Sequence, residues 1–262
     1  MLTIGEVIMT FMDYIAENHV FTTQGLLAAV GNHASIRVAL SRATKSGKVI
    51  KVRTGLYVSQ SGRYQGIKAE PYMIAHTLRA DAVFVYHAAL DLHGLAHSSS
   101  NTIQFMTEGS SLNFVFDEIK YKSFSPRKSI KAEILTAKAY GSIAVTTREQ
   151  TFVDCMAKVG AAGGTEEVLR SFASLPYVNL NVIVECLDQY LPSVAARVGW
   201  YLEANQKRWS VPSEVLEKIE LRIPQNASYK LDPGVTRFES YSSRWRVSLP
   251  AAPETLHLWM EM

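Results

Sequence analysis

Apolar residues along this chain recur first at a helical period and then at a strand period. Ile4, Val7, Ile8, Phe11, Met12 and Ile15 form one amphipathic stripe, predicting a first helix over residues 3–18. Leu26, Leu27 and Val30 predict a second helix, with Thr22 or Thr23 as its N-cap and Gly31 at its end. Asn32, His33 and Ala34 are expected to turn the chain, and Ser35 to cap a third helix. In that helix Ile36, Ala39, Leu40 and Ala43 fall at i, i+3, i+4 and i+7, while Arg37, Ser41, Arg42 and Lys45 take the opposite face. Gly47 stops it. Val49-Ile50-Lys51-Val52-Arg53 then sets cations among β-branched residues, Thr54-Gly55 turns, and Leu56, Tyr57 and Val58 return as a second strand. Three helices and a basic hairpin within about 65 residues make the pattern of a winged helix-turn-helix. Residues 35–45 are its recognition helix and the hairpin is its wing.

Residues 59–66 are polar and contain glycine, so a linker is expected there, separating a domain over 1–66 from one over 67–262. Beyond it the pattern restarts. Helices are predicted after Pro71 and over 86–93. Short strands are predicted at 83–85, 103–106, 113–116, 119–124, 132–139 and 143–147, forming a mixed, mostly antiparallel sheet. From Arg148 onward helical stripes dominate, broken by Pro176 and Pro192, with Pro212 in the first turn of a short helix and a final strand over 244–249. The fold class expected is α+β: a winged helix-turn-helix followed by a sheet and then helices.

Composition adds little by itself. With 47% hydrophobic and 19% charged residues among 262, the chain is globular, and no run reaches the roughly 18 apolar residues of a membrane span. Glu6 and Asp13 stand where a signal peptide would be basic, so none is expected. Cys155 and Cys186 are expected as buried free thiols of a cytoplasmic protein. The net charge is +3, but its distribution matters more. Between Asn18 and Ala69 there is no Asp or Glu, while Arg37, Arg42, Lys45, Lys48, Lys51, Arg53, Arg63 and Lys68 all lie in that window. This is the electrostatic footprint of a polyanion-binding surface. Arg37 and Arg42 are the candidates for reading bases, since arginine matches guanine bidentately. Lys48, Lys51 and Arg53 are assigned to phosphates. Ser35, Ser41 and Lys45 complete the DNA-binding set, with Thr44 as a further short polar contact.

Other chemistry is weakly supported. His87, His93 and His97 cluster in sequence but lack a completing cysteine or carboxylate at ligand spacing, so no metal is expected. Glu118-Ile119-Lys120 resembles the Glu-x-Lys of metal-dependent nucleases, with Asp117 on the other face of a strand and Asp91 or Asp81 as distant partners. Ser98, Ser99 and Ser100 lack nucleophile-elbow glycines, and no phosphate loop is present. No cofactor and no enzymatic activity are expected.

Several segments together carry a resemblance. Gly47 to Val58, Ala88-Ala89-Leu90-Asp91-Leu92-His93-Gly94-Leu95, Arg148-Glu149-Gln150-Thr151-Phe152-Val153-Asp154, Arg197-Val198-Gly199-Trp200-Tyr201-Leu202, Tyr229-Lys230-Leu231-Asp232-Pro233 and Ser243-Arg244-Trp245-Arg246-Val247 follow one another in order. They resemble the motifs of the AbiEi-like antitoxins of bacterial type IV toxin–antitoxin systems, a phage-defence family. Ala88 stands where that pattern has serine, and Gln150 where it has lysine. The resemblance implies a DNA-binding autorepressor acting on inverted repeats of its own promoter, with a possible dimer on DNA. It also implies a C-terminal domain that opposes a nucleotidyltransferase toxin without a stable complex. The alternatives are a stand-alone regulator with a ligand-sensing or assembly domain, and the nuclease.

Overall fold

A computed structural model describes residues 9–31 and 33–261. The chain is α+β and divides into two compact units. The first comprises residues 9–81 with 136–143, and the second 82–135 with 144–261.

In the first unit, α1 (Phe11–Glu17) opens with a capping box, in which the Thr10 hydroxyl accepts from the Asp13 amide while the Asp13 carboxylate accepts from the Thr10 amide. Residues 3–8 of the expected first helix lie outside the described residues. Then come β1 (Val20–Thr22), α2 (Thr23–Val30), α3 (His33–Lys45), β2 (Val49–Arg53) and β3 (Leu56–Ser59), with sheet order β1-β3-β2. Thr22 caps α2 by accepting from the Gly25 amide. Gly31 (φ +90°) and Gly47 (φ +73°) close α2 and α3 in backbone conformations that other residues adopt only at a cost. The core joins Tyr14, Ile15, Phe21, Leu26, Ile36, Leu40, Ala43 and Val49.

Three expectations need correction here. Strand β1 was not foreseen: its three residues carry no readable period, and it exists because it pairs antiparallel with β3. Ser35 is not a cap, since α3 already begins at His33 and Ser35 sits inside the first turn. Residues 59–66 are not a free linker. The Ser59 hydroxyl is buried and donates to the Ile15 carbonyl at 2.5 Å, and both Arg63 and the Tyr64 hydroxyl donate to the Glu17 carbonyl. The same unit continues through α4 (Pro71–Leu78), where Tyr72 meets Tyr140 edge to face.

The second unit contains β4 (Val83–Phe84), α5 (Tyr86–Leu92), β5 (Thr102–Met106), β6 (Asn113–Phe116) and β7 (Ile119–Phe124). Together with β8 (Ala132–Ala137) and β9 (Gly141–Thr146) they form a mixed sheet of order β6-β7-β5-β4-β9-β8. It is more parallel than expected, since β5 pairs with β7 and β4 with β9 in parallel, while β4–β5 and β6–β7 are antiparallel. Helices α6 (Arg148–Ala157), α7 (Thr165–Ala173), α8 (Leu180–Cys186), α9 (Pro192–Ala204) and α10 (Ser213–Glu220) follow. A small sheet of β10 (Tyr229–Lys230), β11 (Ser240–Ser242) and β12 (Val247–Leu249) precedes α11 (Pro253–Met260), a helix the sequence pattern did not predict.

Helix α9 is the axis of this unit, with every residue from Val194 to Leu202 buried. Gly199 makes this possible: a β-carbon there would come within 2.0 Å of the Trp245 ring. Gly199→Ala is therefore expected to destabilise the protein by roughly 3 kcal/mol, the upper end of overpacking costs. Urea denaturation should show the midpoint fall, and an unchanged midpoint would show that the Trp245 ring has room to move.

Candidate nucleic-acid interface

Helix α3 turns Ile36, Leu40 and Ala43 into the core, so Arg37, Ser41 and Lys45, spaced four apart, face outward in one row. A groove runs between that row and the β2–β3 hairpin, lined among others by Arg37, Ser41, Thr44, Lys45, Lys51 and Tyr57. No acidic residue lies anywhere in the sequence that builds it. The Thr44 hydroxyl donates to the Leu40 carbonyl at 2.8 Å, which leaves only its lone pairs for a ligand.

The hairpin is braced. Strand β3 is the middle strand, and the Thr23 amide donates to the Gly55 carbonyl at 2.9 Å, fastening the turn to the start of α2. Gly55 adopts φ +84°, as the two-residue turn requires. Lys51 is exposed on the edge strand β2, opposite Tyr57 in the ladder. Between Lys51 and Arg53 the register shifts, a bulge that adds twist and re-aims the following side chain. Arg53 is half-buried.

The sequence-derived set is thus only partly gathered. Arg37, Ser41, Lys45 and Lys51 share the groove. Arg42 is exposed on the other flank of α3, beyond Val38, and Ser35 is exposed in the first turn. Lys48 is exposed before β2, where its carbonyl accepts from the Gln60 amide. Sequence reasoning passed over Val38, which is 50% exposed between Arg37, Ser41 and Arg42. An apolar residue on the polar face of a helical wheel was the available signal. Such a side chain suits contact with a thymine methyl group.

The other candidate chemistry does not assemble. Asp117 (φ +47°) and Glu118 (φ +67°) are the two turn residues between β6 and β7, so the glutamate of the Glu-x-Lys motif falls in a turn and only Ile119 and Lys120 lie on the strand. His87 bonds Glu167 at 3.3 Å, His93 meets the Thr146 carbonyl at 2.7 Å, and the His97 amide donates to Glu167. Among the described residues no three His, Cys, Asp or Glu side chains are grouped to hold a metal ion. The segments after Arg148 and Arg197 are interior architecture: Gln150, Asp154 and Arg197 are all buried.

Comparison with known proteins yields one kind of likeness. No family model matches the chain, and neither does any curated protein. Among solved structures, the crystal structure of the Rv2827c protein from Mycobacterium tuberculosis is similar, with a TM-score of 0.66 at 10% identity, over 93% of this chain and 88% of that one. At that identity the likeness is one of fold. No helix among the described residues is long and apolar enough to cross a membrane.

Neither cysteine is a candidate nucleophile. Both are free and buried, and burial raises both thiol pKa values, that of Cys186 to about 11. A raised thiol pKa leaves the unreactive protonated form at neutral pH. A chromogenic disulfide reagent at pH 8 should therefore label neither cysteine in the native protein and both in denaturant. Rapid native labelling would contradict this environment.

Proposed function

We propose that the chain is a non-enzymatic, cytoplasmic DNA-binding antitoxin that represses its own operon. Its N-terminal unit acts as a winged helix-turn-helix, in which α2 and α3 are the paired helices and β2–β3 is the wing. The order helix, strand, helix, helix, strand, strand supports that reading. The observation that carries it is the carboxylate-free groove in which Arg37, Ser41 and Lys45 of α3 face Lys51 of the hairpin. In this reading α3 enters a major groove. Arg37, Val38 and Ser41 face base edges, while Lys48, Lys51 and Arg53 neutralise phosphates. A dimer on inverted repeats would match protein symmetry to operator symmetry.

The antitoxin half rests on the resemblance to AbiEi-like proteins. Its segments in the second unit are largely interior. Ala88, Gln150, Asp154, Arg197, Gly199 and Trp245 pack the core or lie beside it, so they support a shared architecture rather than mark an exposed antitoxin surface. The fold likeness to Rv2827c, which covers most of both chains, supports architecture in the same limited sense.

Fluorescence anisotropy on the gene's own upstream duplex and a shuffled duplex, at two salt concentrations, tests the DNA reading. Arg37→Ala should weaken upstream binding roughly 5- to 150-fold, equivalent to about 1–3 kcal/mol, with little change on the shuffled duplex. Lys51→Ala should weaken both duplexes alike and lower the salt slope by about 1. Equal, weak, steeply salt-dependent binding to both duplexes in the wild type would refute sequence-specific repression. Co-expression with the product of a neighbouring nucleotidyltransferase gene tests the other half: an antitoxin restores growth, and a stand-alone regulator does not.

A further inference from the structure

A second cationic feature lies in the C-terminal unit, independent of the DNA reading. The two-residue period of β7 puts Lys120, Lys122 and Phe124 on one sheet face, while Tyr121 and Ser123 of the other face are buried. The parallel register with β5 sets Thr102 beside Lys120 and Gln104 beside Lys122. This face opens into a cavity of about 380 Å³ lined by Lys120, Lys122, Ser100, Thr102, Asn113 and His87. Main chain of the glycine-containing stretch 160–163 forms a wall.

No carboxylate is among the residues that line this cavity. The ammonium groups of Lys122 and Lys158 both lie over the Phe124 ring, 5.3 and 4.6 Å from its centroid. Among the described residues, Lys120, Lys122 and Lys158 form no ion pair. Glu167, the carboxylate behind His87, is held by Ser98 and Ser171. Burial, followed by the charges of Arg127 and Lys122, lowers the Lys158 pKa, as expected of a cation in a positive field.

We propose that this cavity binds a phosphate-bearing small anion of the pyrophosphate or nucleotide class, with Lys120 and Lys122 as its charge partners and Ser100 and Thr102 as hydroxyl donors. Residues two apart on a strand are separated by about 6.6 Å, so the two ammonium groups can straddle linked phosphates. Lysine binds phosphate as a point charge, and hydroxyl groups supply further donors to its oxygens. The volume falls within the roughly 300–1,000 Å³ of small-molecule sites, and Lys120, Lys122, Ser100, Thr102, Gln104 and Asn113 give its lining polar groups that suit an anion.

Isothermal titration of the full chain with inorganic pyrophosphate and with ADP, at fixed ionic strength, tests the site. Saturable one-to-one binding of at least one probe is expected. It should weaken at least tenfold in Lys120→Gln/Lys122→Gln, whose exposed positions leave the fold intact, and stay unchanged in Arg37→Ala/Lys45→Ala. Tighter binding of ADP than of pyrophosphate would assign the phosphate to a nucleotide; the reverse order would assign it to the inorganic anion. Absence of saturable binding, or equal loss in both double variants, overturns the proposal. So does a loss of upstream-duplex affinity in Lys120→Gln/Lys122→Gln with no probe bound by the wild type, which would make these lysines part of a DNA surface.

Discussion

The C-terminal unit depends on a buried cation. Arg197 is 5% exposed at the centre of α9, and burying a charge costs several kcal/mol unless its donors are satisfied. Its guanidinium donates to the Lys230 carbonyl at 2.8 Å and to the Met156 and Ala157 carbonyls at 2.9 and 3.2 Å. It thereby closes the end of α6, where the last carbonyls lack intrahelical partners, and holds β10 in place. Burial lowers the Arg197 pKa and nearby Asp232 opposes that shift; an arginine still keeps its proton under these conditions. Two residues on, Gly199 admits Trp245, whose indole donates to Glu203 at 2.7 Å. Arg244 then bridges Glu203 and Glu220, joining α9 to α10. Three segments separate in sequence thus form one structural joint.

The N-terminal unit handles charge in the opposite way. Its core is small and apolar, and Arg37, Arg42, Lys45 and Lys51 are exposed along α3 and β2, in a stretch of sequence that carries no Asp or Glu. Mutual repulsion among them weakens the isolated unit, and a polyanion would relieve it. The hairpin can carry that charge because its strand β2 is the edge of a three-stranded sheet and its turn is bonded to α2. Charged edge positions also discourage pairing with a second chain.

What was readable in the sequence follows from which forces are local. The stripe of Ile36, Leu40 and Ala43 named α3 and its outward row, because a one-sided helix records its own packing. The same reasoning put Arg42 on the outward face, where it is exposed, but polarity does not say on which flank of that face a residue falls. Strand β1 and the parallel pairings of β5 with β7 and β4 with β9 were hidden because they are created by partners distant in sequence. The alternation of Lys120, Lys122 and Phe124 was visible, but only β5 supplies the hydroxyl beside it. Residues 59–66 misled by composition, since polar residues that bond to the carbonyls of another element look the same in sequence as solvated ones.

The two departures from the AbiEi-like pattern fall at interior positions, which bears on what they change. Gln150 is 1% exposed; its amide donates to the Tyr190 hydroxyl at 2.7 Å, and its carbonyl accepts from the Lys131 amide at 3.3 Å. Tyr190 in turn donates to Asp154 at 2.5 Å, and Arg127 pairs with the same carboxylate. Burial raises the Tyr190 pKa, so this hydroxyl remains a donor. Glutamine both donates and accepts in this network. A lysine there would only donate, leaving the Lys131 amide unmatched and adding a cation beside Arg127. Ala88 is likewise buried, with its amide bonded to Gln104, and a serine in its place would bring a hydroxyl needing a partner. Both departures therefore alter how the interior is satisfied rather than what the surface presents.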